Sequence, residues 1–313
     1  MNLLSVIIPA FNEEQIIENT ANTLANILKS ENINYELIFI NDGSKDNTWA
    51  KINDVCKTDT NIVGICFSRN FGKEAAMFAG LEKAKGDCCV IIDCDLQHPP
   101  EKIVDMYKLW EQGYDVVEGV KENRGKEGVL HRIAANSFYD LISKATKINM
   151  SDASDFKLLD RKVVDTLNQL PERNVFFRAL SYWVGYKKTE VFYTVQERAA
   201  GESKWSTRQL IKYALTNITA FSSAPLHIVT ILGVITLAIS FIFGLISLIQ
   251  KLCGVAIDGF TTVILLIAFI GSVIMISIGI LGYYIARIYD EIKGRPRYII
   301  SSTCNGDIDE KNN

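Results

Sequence analysis

Two stretches near the end of the chain, Leu226 to Ile249 and Thr261 to Ile285, contain no Asp, Glu, Lys or Arg. Each reaches the roughly 20 apolar residues that an α-helix needs to cross the hydrocarbon core of a bilayer. Two such runs separated by a short loop argue for a membrane hairpin rather than for a pair of core helices. Gly244 in the first run, and Gly271, Gly279 and Gly282 in the second, are small enough to let helices approach closely. The same residues permit association of copies into a homo-oligomer without fixing its number.

The cations around these runs are unevenly placed. Lys204, Arg208 and Lys212 come before the first, and Arg287, Lys293, Arg295 and Arg297 follow the second, whereas the connecting loop has Lys251 against Asp258. The bias of Lys and Arg towards the cytoplasmic side predicts that both ends lie in the cytoplasm. Over 201–224 the basic residues alternate with Trp205, Leu210, Ile211, Tyr213, Leu215 and Phe221, which predicts an amphipathic helix at the membrane surface. A solvated helix packed on the main domain would show the same pattern.

The rest of the 313 residues reads as soluble. The formal net charge of −3 gives no broad basic surface, which excludes nucleic acid as a general partner. Met1 to Pro9 has neither a basic leader nor an apolar run of signal-peptide length and reads as a first strand. From Leu3 to about Val195 short apolar runs alternate with helical patterns, the mark of a mostly parallel sheet covered by helices. The predicted strands are Leu3 to Pro9, Tyr35 to Asn41, Ile62 to Ser68, Cys88 to Asp93 and Tyr114 to Val120. Asn12 is expected to cap a first helix whose Ile16, Ile17, Thr20, Leu24, Ile27 and Leu28 share one face, and further helices open near Lys73, Pro99 and Glu127. The seven cysteines form no CxxC pair and read as reduced, mostly buried thiols. The tail after Ser301 is polar and reads as disordered.

The strongest chemical signal is the apolar run Val90, Ile91, Ile92 ending in Asp93 and Asp95. If the extended form continues, two residues of spacing put both carboxylates on one side, and paired hard oxygens suit Mg²⁺ or Mn²⁺ bound together with a diphosphate. The strand end also suits ligand binding, since open α/β sheets bind ligands at their carboxyl edge. Two other strand ends carry polar residues in equivalent places, Asn12-Glu13-Glu14 and Asn41-Asp42-Gly43-Ser44. Asp42 and Glu13 are placed to accept hydrogen bonds from a base or ribose; taken alone, Asp42-Gly-Ser is also a plain turn and Asn12 a plain helix cap. Lys73, in Arg69-Asn-Phe-Gly-Lys73, brings a cation and backbone amides towards the same edge. His98, followed by two prolines, reads as a turn-shaping residue and not a metal ligand.

These segments resemble the inverting GT-A glycosyltransferases of family 2, in particular the polyprenyl-phosphate branch of dolichol-phosphate mannosyltransferases and bactoprenol glucosyltransferases. The resemblance rests on Ser5-Val-Ile-Ile-Pro-Ala-Phe-Asn-Glu13, Asn41-Asp-Gly-Ser44, Ser68-Arg-Asn-Phe-Gly-Lys73 and Asp93-Cys-Asp-Leu-Gln-His-Pro-Pro-Glu101. It extends through Asp155-Phe-Lys-Leu-Leu-Asp-Arg161, Arg198-Ala-Ala-Gly-Glu-Ser-Lys-Trp205 and the two apolar runs. It implies a GT-A catalytic domain over 1–200, a juxtamembrane helix over 201–224, a two-helix hairpin over 225–287 and a cytoplasmic tail over 288–313 of a multi-pass protein of the cell membrane. It implies a nucleotide-sugar site at Pro9, Glu13 and Asp42 and a metal held chiefly by Asp95; Asn12, Lys73 and Asp93 are further candidates for the nucleotide-sugar, and Asp93 and Gln97 for the metal. Asp155 matches the proposed base, Arg198 and Lys204 match catalytic cations, and Arg124, Arg198, Ser203 and Lys204 match the residues that meet the acceptor phosphate.

The implied reaction moves a sugar, glucose first among them, from a UDP-sugar to a polyprenyl phosphate such as undecaprenyl phosphate, for cell-envelope glycosylation. Elementary chemistry qualifies one role. A phosphate monoester has a second pKa near 6, so most acceptor molecules are dianions at neutral pH and Asp155 need not remove a proton. Two other readings fit parts of the pattern: a GT-A transferase acting on a lipid or polysaccharide hydroxyl, where a true base is required, and a non-catalytic membrane scaffold that binds nucleotide-sugar. A dinucleotide oxidoreductase is disfavoured, because no GxGxxG follows the first strand.

Overall fold

The computed structural model of the chain describes residues 2–122, 154–172, 176–194, 224–253 and 259–306. They fall into two units, one formed by 2–194 with 296–306 and the other by 224–295.

The first unit is an eight-stranded sheet in the order β7-β5-β6-β4-β1-β2-β3-β8. Its centre is parallel: β1 (Leu3–Ala10), β2 (Asn34–Asn41), β3 (Ile62–Phe67) and β4 (Cys88–Ile91) are joined by α1 (Ile17–Ser30), α2 (Thr48–Thr58) and α3 (Lys73–Lys83). Leu4, Val6, Ile7 and Ile8 of β1 are all fully buried. Such a continuous apolar run is what a strand with helices on both faces requires. Pro9 is tolerated in this central strand because the β1–β4 register ends at Ile7 and Ile91, before the missing amide would matter on that side.

After α4 (Lys102–Glu111) the sheet becomes mixed. β5 (Val116–Lys121) and β7 (Lys188–Tyr193) are parallel, while β6 (Lys157–Asp160) runs antiparallel to both β4 and β5; α5 (Arg161–Gln169) and α6 (Phe177–Trp183) follow β6. All five strands expected from the sequence are present, and β6, β7 and β8 were not anticipated, because Lys157 and Glu190 interrupt the apolar pattern of the first two.

Lys157 is the cause of one surprise and its own explanation. Its side chain is completely buried and its ammonium lies 3.1 Å from Glu118, the residue it faces across the β5–β6 ladder. It also donates to Ser181 Oγ at 2.7 Å and sits 4.3 Å from the centre of the Tyr182 ring, whose hydroxyl donates to Glu118. Burial pushes the Lys157 pKa down and Glu118 opposes the shift. A charge pair so fully desolvated contributes little net stability yet makes loss of one partner expensive.

The end of the chain departs from expectation. Ile300–Cys304 is not disordered: it forms β8, antiparallel to β3. Its approach is anchored by Arg297, which donates to the Leu170 carbonyl at 2.8 Å, and by Tyr298, which stacks on Phe67 with ring centres 5.0 Å apart. A strand edge left open invites pairing, and a polar sequence suffices where the backbone of β3 supplies the partners. Cys304 of β8 is disulfide-bonded to Cys56 of α2, which corrects the expectation that all thiols are reduced; Cys88, Cys89 and Cys94 are buried and free. Sequence could not reveal the pair, since 248 residues separate its members.

In the second unit α7 (Ala224–Leu252) and α8 (Phe260–Ile292) contact each other and carry windows, Val229–Ile246 and Phe269–Ile292, long and apolar enough to cross a membrane. The glycines do not make their seam: a methyl group added at Gly244, Gly271, Gly279 or Gly282 would meet open space.

The Glu118–Lys157 pair gives a stability prediction. Glu118→Ala leaves a buried ammonium unpaired and should cost about 3–5 kcal/mol, whereas Glu118→Leu with Lys157→Met should recover most of that loss. Unfolding of the full chain in detergent, followed by circular dichroism, measures both; a double variant no better than the single one would mean that the pair is not the cause.

Candidate active site

Strand order 3-2-1-4 puts a topological switch point between β1 and β4, and open α/β sheets take their ligands beyond the carboxyl ends of the strands at such a point. The loops after β1, β2, β3 and β4 meet there, and hydrogen bonds between them fix the floor. Asn12 has a φ of 55°, its amide donates to Ser44 Oγ at 2.9 Å and its side-chain oxygen accepts from the Lys45 amide at 2.9 Å. It therefore ties the β1 loop to the β2 loop and does not cap α1, which starts five residues later at Ile17. The Glu13 amide donates to Thr48 Oγ1 at 2.8 Å, in the same seam.

Asp42 does the corresponding job between β2 and β3. Its carboxylate accepts from the Phe71 amide at 2.7 Å, the Gly72 amide at 2.9 Å and Asn70 Nδ2 at 2.9 Å. Burial raises its pKa, and the Phe71 and Gly72 amides work against that rise. Gly43 lets the two loops touch: its φ is 62°, and a Cβ there would come within 2.3 Å of the Arg69 backbone. The outcome is a fixed start for α3, whose first residue is Lys73 and whose preceding Gly72 has a φ of 102°.

Strand β4 ends at Ile91, and the segment after it turns, with Leu96 at a φ of 55°. The expectation that Asp93 and Asp95 continue an extended strand is thus corrected. Thr20 of α1 holds the turn by donating to the Cys94 carbonyl at 2.8 Å, and the Gln97 amide donates to Asp95 Oδ1 at 3.1 Å. Behind them His98 is buried, stacked on Phe156 with ring centres 4.9 Å apart and edge-on to Tyr193 at 5.5 Å. Burial lowers the His98 pKa, which leaves the ring neutral at physiological pH.

Charged groups converge in front of this turn. Lys73 Nζ lies 2.6 Å from Asp93 Oδ1 and 3.0 Å from Asp155 Oδ2. Asp155, 7% exposed, is held from its other side by Arg178 of α6, with Nε at 2.7 Å and Nη2 at 2.9 Å. Burial alone would raise the Asp155 pKa, but Lys73 and Arg178 outweigh it and hold the carboxyl well below the usual range. Lys73 likewise overrides the burial of Asp93 and lowers its pKa. α6 is docked so that Arg178 can reach, because the Phe177 amide donates to Glu74 of α3 at 2.9 Å.

The structure therefore brings Lys73, Asp93 and Asp155 together and adds Arg178, which sequence reasoning missed. Pro9, Asn12, Glu13 and Asp42 line the loop seam beside them, the last three with hydrogen-bonding groups committed within the protein. Arg124, Arg198, Ser203 and Lys204 lie outside the described residues. Among the described residues no group of three or more His, Cys, Asp or Glu side chains is arranged to hold a metal. Asp93 and Asp95 are nevertheless the kind of donor that suits Mg²⁺ or Mn²⁺, which binds through one or two carboxylates and takes its remaining ligands from phosphate and water.

A cluster of charged side chains beyond the carboxyl edge of a mostly parallel sheet covered by helices marks a ligand-binding α/β protein. The profile of glycosyl transferase family 2 matches residues 5–167. The SfII prophage-derived bactoprenol glucosyl transferase of Shigella flexneri is 40% identical over 305 residues, covering 97% of this chain and 99% of that one. The prophage bactoprenol glucosyl transferase homolog of Escherichia coli K12 is 40% identical over 299 residues, 95% and 98% of the two chains. An uncharacterized glycosyltransferase of Bacillus subtilis is 38% identical over 301 residues, 96% and 93% of the two. Glucosyl-3-phosphoglycerate synthase of Mycobacterium tuberculosis is similar at 18% identity, with a TM-score of 0.47 over 70% of this chain and 78% of that one. The chain belongs to glycosyl transferase family 2, and its first unit is the mostly parallel sheet covered by helices that the sequence leads one to expect.

The glycines that fit the loops together should differ in their demands. Gly43→Ala adds a backbone clash to the strain of a left-handed φ, whereas Gly72→Ala adds strain alone, of about 1–3 kcal/mol. Thermal unfolding should show the larger fall in Tm for Gly43→Ala; equal falls would mean that the contact with Arg69 yields without penalty.

Proposed function

We propose that this glycosyltransferase moves glucose from UDP-glucose to the phosphate of a polyprenyl lipid, undecaprenyl phosphate, with inversion at the anomeric carbon and for glycosylation of the cell envelope. The relatives from Shigella flexneri and Escherichia coli, similar over nearly the whole chain, carry bactoprenol glucosyl transferase names. Helices α7 and α8, long and apolar enough to cross a bilayer, suit a lipid acceptor. The distribution of cations favours a multi-pass protein of the cell membrane with the catalytic unit on the cytoplasmic side and 201–224 lying at the surface.

The single observation that carries the acceptor class is the condition of Asp155. A general base works best with a pKa near the operating pH, whereas Asp155 is held far below it by Lys73 and Arg178. A hydroxyl acceptor would need a base; a phosphate with a second pKa near 6 does not. Asp155 then serves to aim the Lys73 and Arg178 cations at the reacting groups. Pro9, Asn12, Glu13 and Asp42 shape the nucleotide side of the crevice, and Arg124, Arg198, Ser203 and Lys204 receive the acceptor phosphate. Asp93, Asp95 and Gln97 would hold Mg²⁺ or Mn²⁺, which supplies positive charge that offsets the departing nucleoside diphosphate. The phosphate oxygen forms its bond to the anomeric carbon as the bond to the diphosphate breaks.

Purified protein in detergent, given undecaprenyl phosphate, a divalent metal and a panel of UDP- and GDP-sugars, should yield one sugar-phosphate lipid by mass, from UDP-glucose. No lipid product with a donor that still binds would turn the reading to a hydroxyl acceptor. The pH profile separates the two chemistries further. With its pKa depressed, Asp155 stays ionised between about pH 5 and 9 and contributes no acid limb. The limb expected near about pH 6 belongs to the acceptor and should persist in Asp155→Asn at a lower overall rate. An acid limb present in the native protein and absent from that variant would identify Asp155 as a base and refute the phosphate reading.

A further inference from the structure

The Asp93 carboxylate already has a cation beside it. Lys73 Nζ is 2.6 Å from Asp93 Oδ1, and the same ammonium spans to Asp155 Oδ2 at 3.0 Å. The start of α3 is fixed by the Asp42 bonds to the Phe71 and Gly72 amides, so the ammonium is delivered from a rigid base. The Lys73 side chain is nonetheless 41% exposed, so it is not walled in by packing and can take a second position once its carboxylate partners are satisfied otherwise. A divalent ion on Asp93 would share one carboxylate with this ammonium, and two cations on one carboxylate repel where water is scarce. A diphosphate relieves the conflict, because it offers oxygens to the metal and to the ammonium at once.

We propose that Lys73 is the resident counter-ion of the Asp93–Asp95 motif: it holds Asp93 in the donor-free protein and yields to a divalent metal only when a nucleoside diphosphate gives the ammonium a new seat. The proposal rests on the reading of Asp93 and Asp95 as metal ligands. It makes metal and donor bind with positive coupling, and it places a share of that coupling, beyond the diphosphate's own bonds to the metal, in one side chain. It also keeps Asp93 paired between turnovers, without a metal that must be lost and regained independently of the donor.

The test is Mn²⁺ binding to the full-length protein in detergent, read by the electron paramagnetic resonance signal of free Mn²⁺, with and without saturating UDP. In the native protein UDP should tighten Mn²⁺ binding by about tenfold or more, within the usual range of coupling between sites. Lys73→Met should bind Mn²⁺ more tightly than the native protein in the absence of UDP, again by about tenfold, and show a correspondingly smaller response to UDP. Lys73→Arg, which keeps the charge, should behave as the native protein and controls for folding. Unchanged or weaker Mn²⁺ binding by Lys73→Met without UDP, or an undiminished response to UDP, overturns the proposal. Asp95→Ala separates this failure from that of the underlying reading: it should abolish Mn²⁺ binding under all conditions, and native affinity in that variant would remove the metal site itself and the exchange with it.

Discussion

Asp155 is a carboxylate almost without access to water, and its burial is tolerable only because two cations reach it from different helices. Lys73 comes from the first turn of α3 and Arg178 from α6, while Asp155 itself stands just before β6. Removing either cation would leave the buried carboxylate with a single cationic partner. The arrangement thus demands that α3, α6 and the β6 strand be placed together within the tolerance of an ion pair. Much of the first unit serves that demand: Glu74 docks α6 on α3, Glu118 accepts from the Ser154 amide next to Asp155, and Lys157 fixes Glu118.

The loops on the other side of the crevice follow the same logic with backbone amides in place of cations. Asp42 accepts three donors from the segment that leads into Lys73, and Asn12 couples the β1 loop to the β2 loop. Parallel strands bring their carboxyl ends to one edge, but nothing in a β-sheet orders the loops that leave it. Short polar side chains that bond neighbouring loops supply the order, and glycine at position 43 allows the approach. A consequence is that residues read from the sequence as ligand contacts act here first as fasteners between loops, which sets where a ligand can lie.

The sequence carried the architecture well because burial on both faces leaves a plain mark: continuous apolar strands spaced by amphipathic helices placed β1 to β5, and charge-free runs placed α7 and α8. Asp93 was legible as a member of the charged cluster for the same reason, as a carboxylate just past the end of an apolar strand. What escaped were features that depend on distant partners. Arg178 sits among Phe176, Phe177 and Leu180 in a stretch that looks like an ordinary amphipathic turn, and only its meeting with Asp155 gives it meaning. Lys157 broke the strand pattern because its partner Glu118 lies 39 positions earlier, since 157 less 118 is 39. The β8 strand and the Cys56–Cys304 pair were hidden behind a polar composition that local reasoning assigns to disorder. The turn at Leu96 escaped as well, because the spacing of two carboxylates does not report whether the strand between them continues.

A transferase that joins a phosphate to a sugar while a diphosphate leaves must hold two anions in one crevice at the moment of reaction. Neutralising them calls for several cations, and those cations repel one another whenever the crevice is empty. Carboxylates that do no proton transfer resolve this difficulty. In this chain Asp93 and Asp155 hold Lys73 and Arg178 in place in the empty site, so the positive charge is assembled before either substrate arrives. Preorganised charge of this kind lowers a barrier because no reorganisation is needed as the reaction proceeds. On the proposed reading of a phosphate acceptor, which needs no base, the depressed pKa of Asp155 is the signature of its work as an anchor.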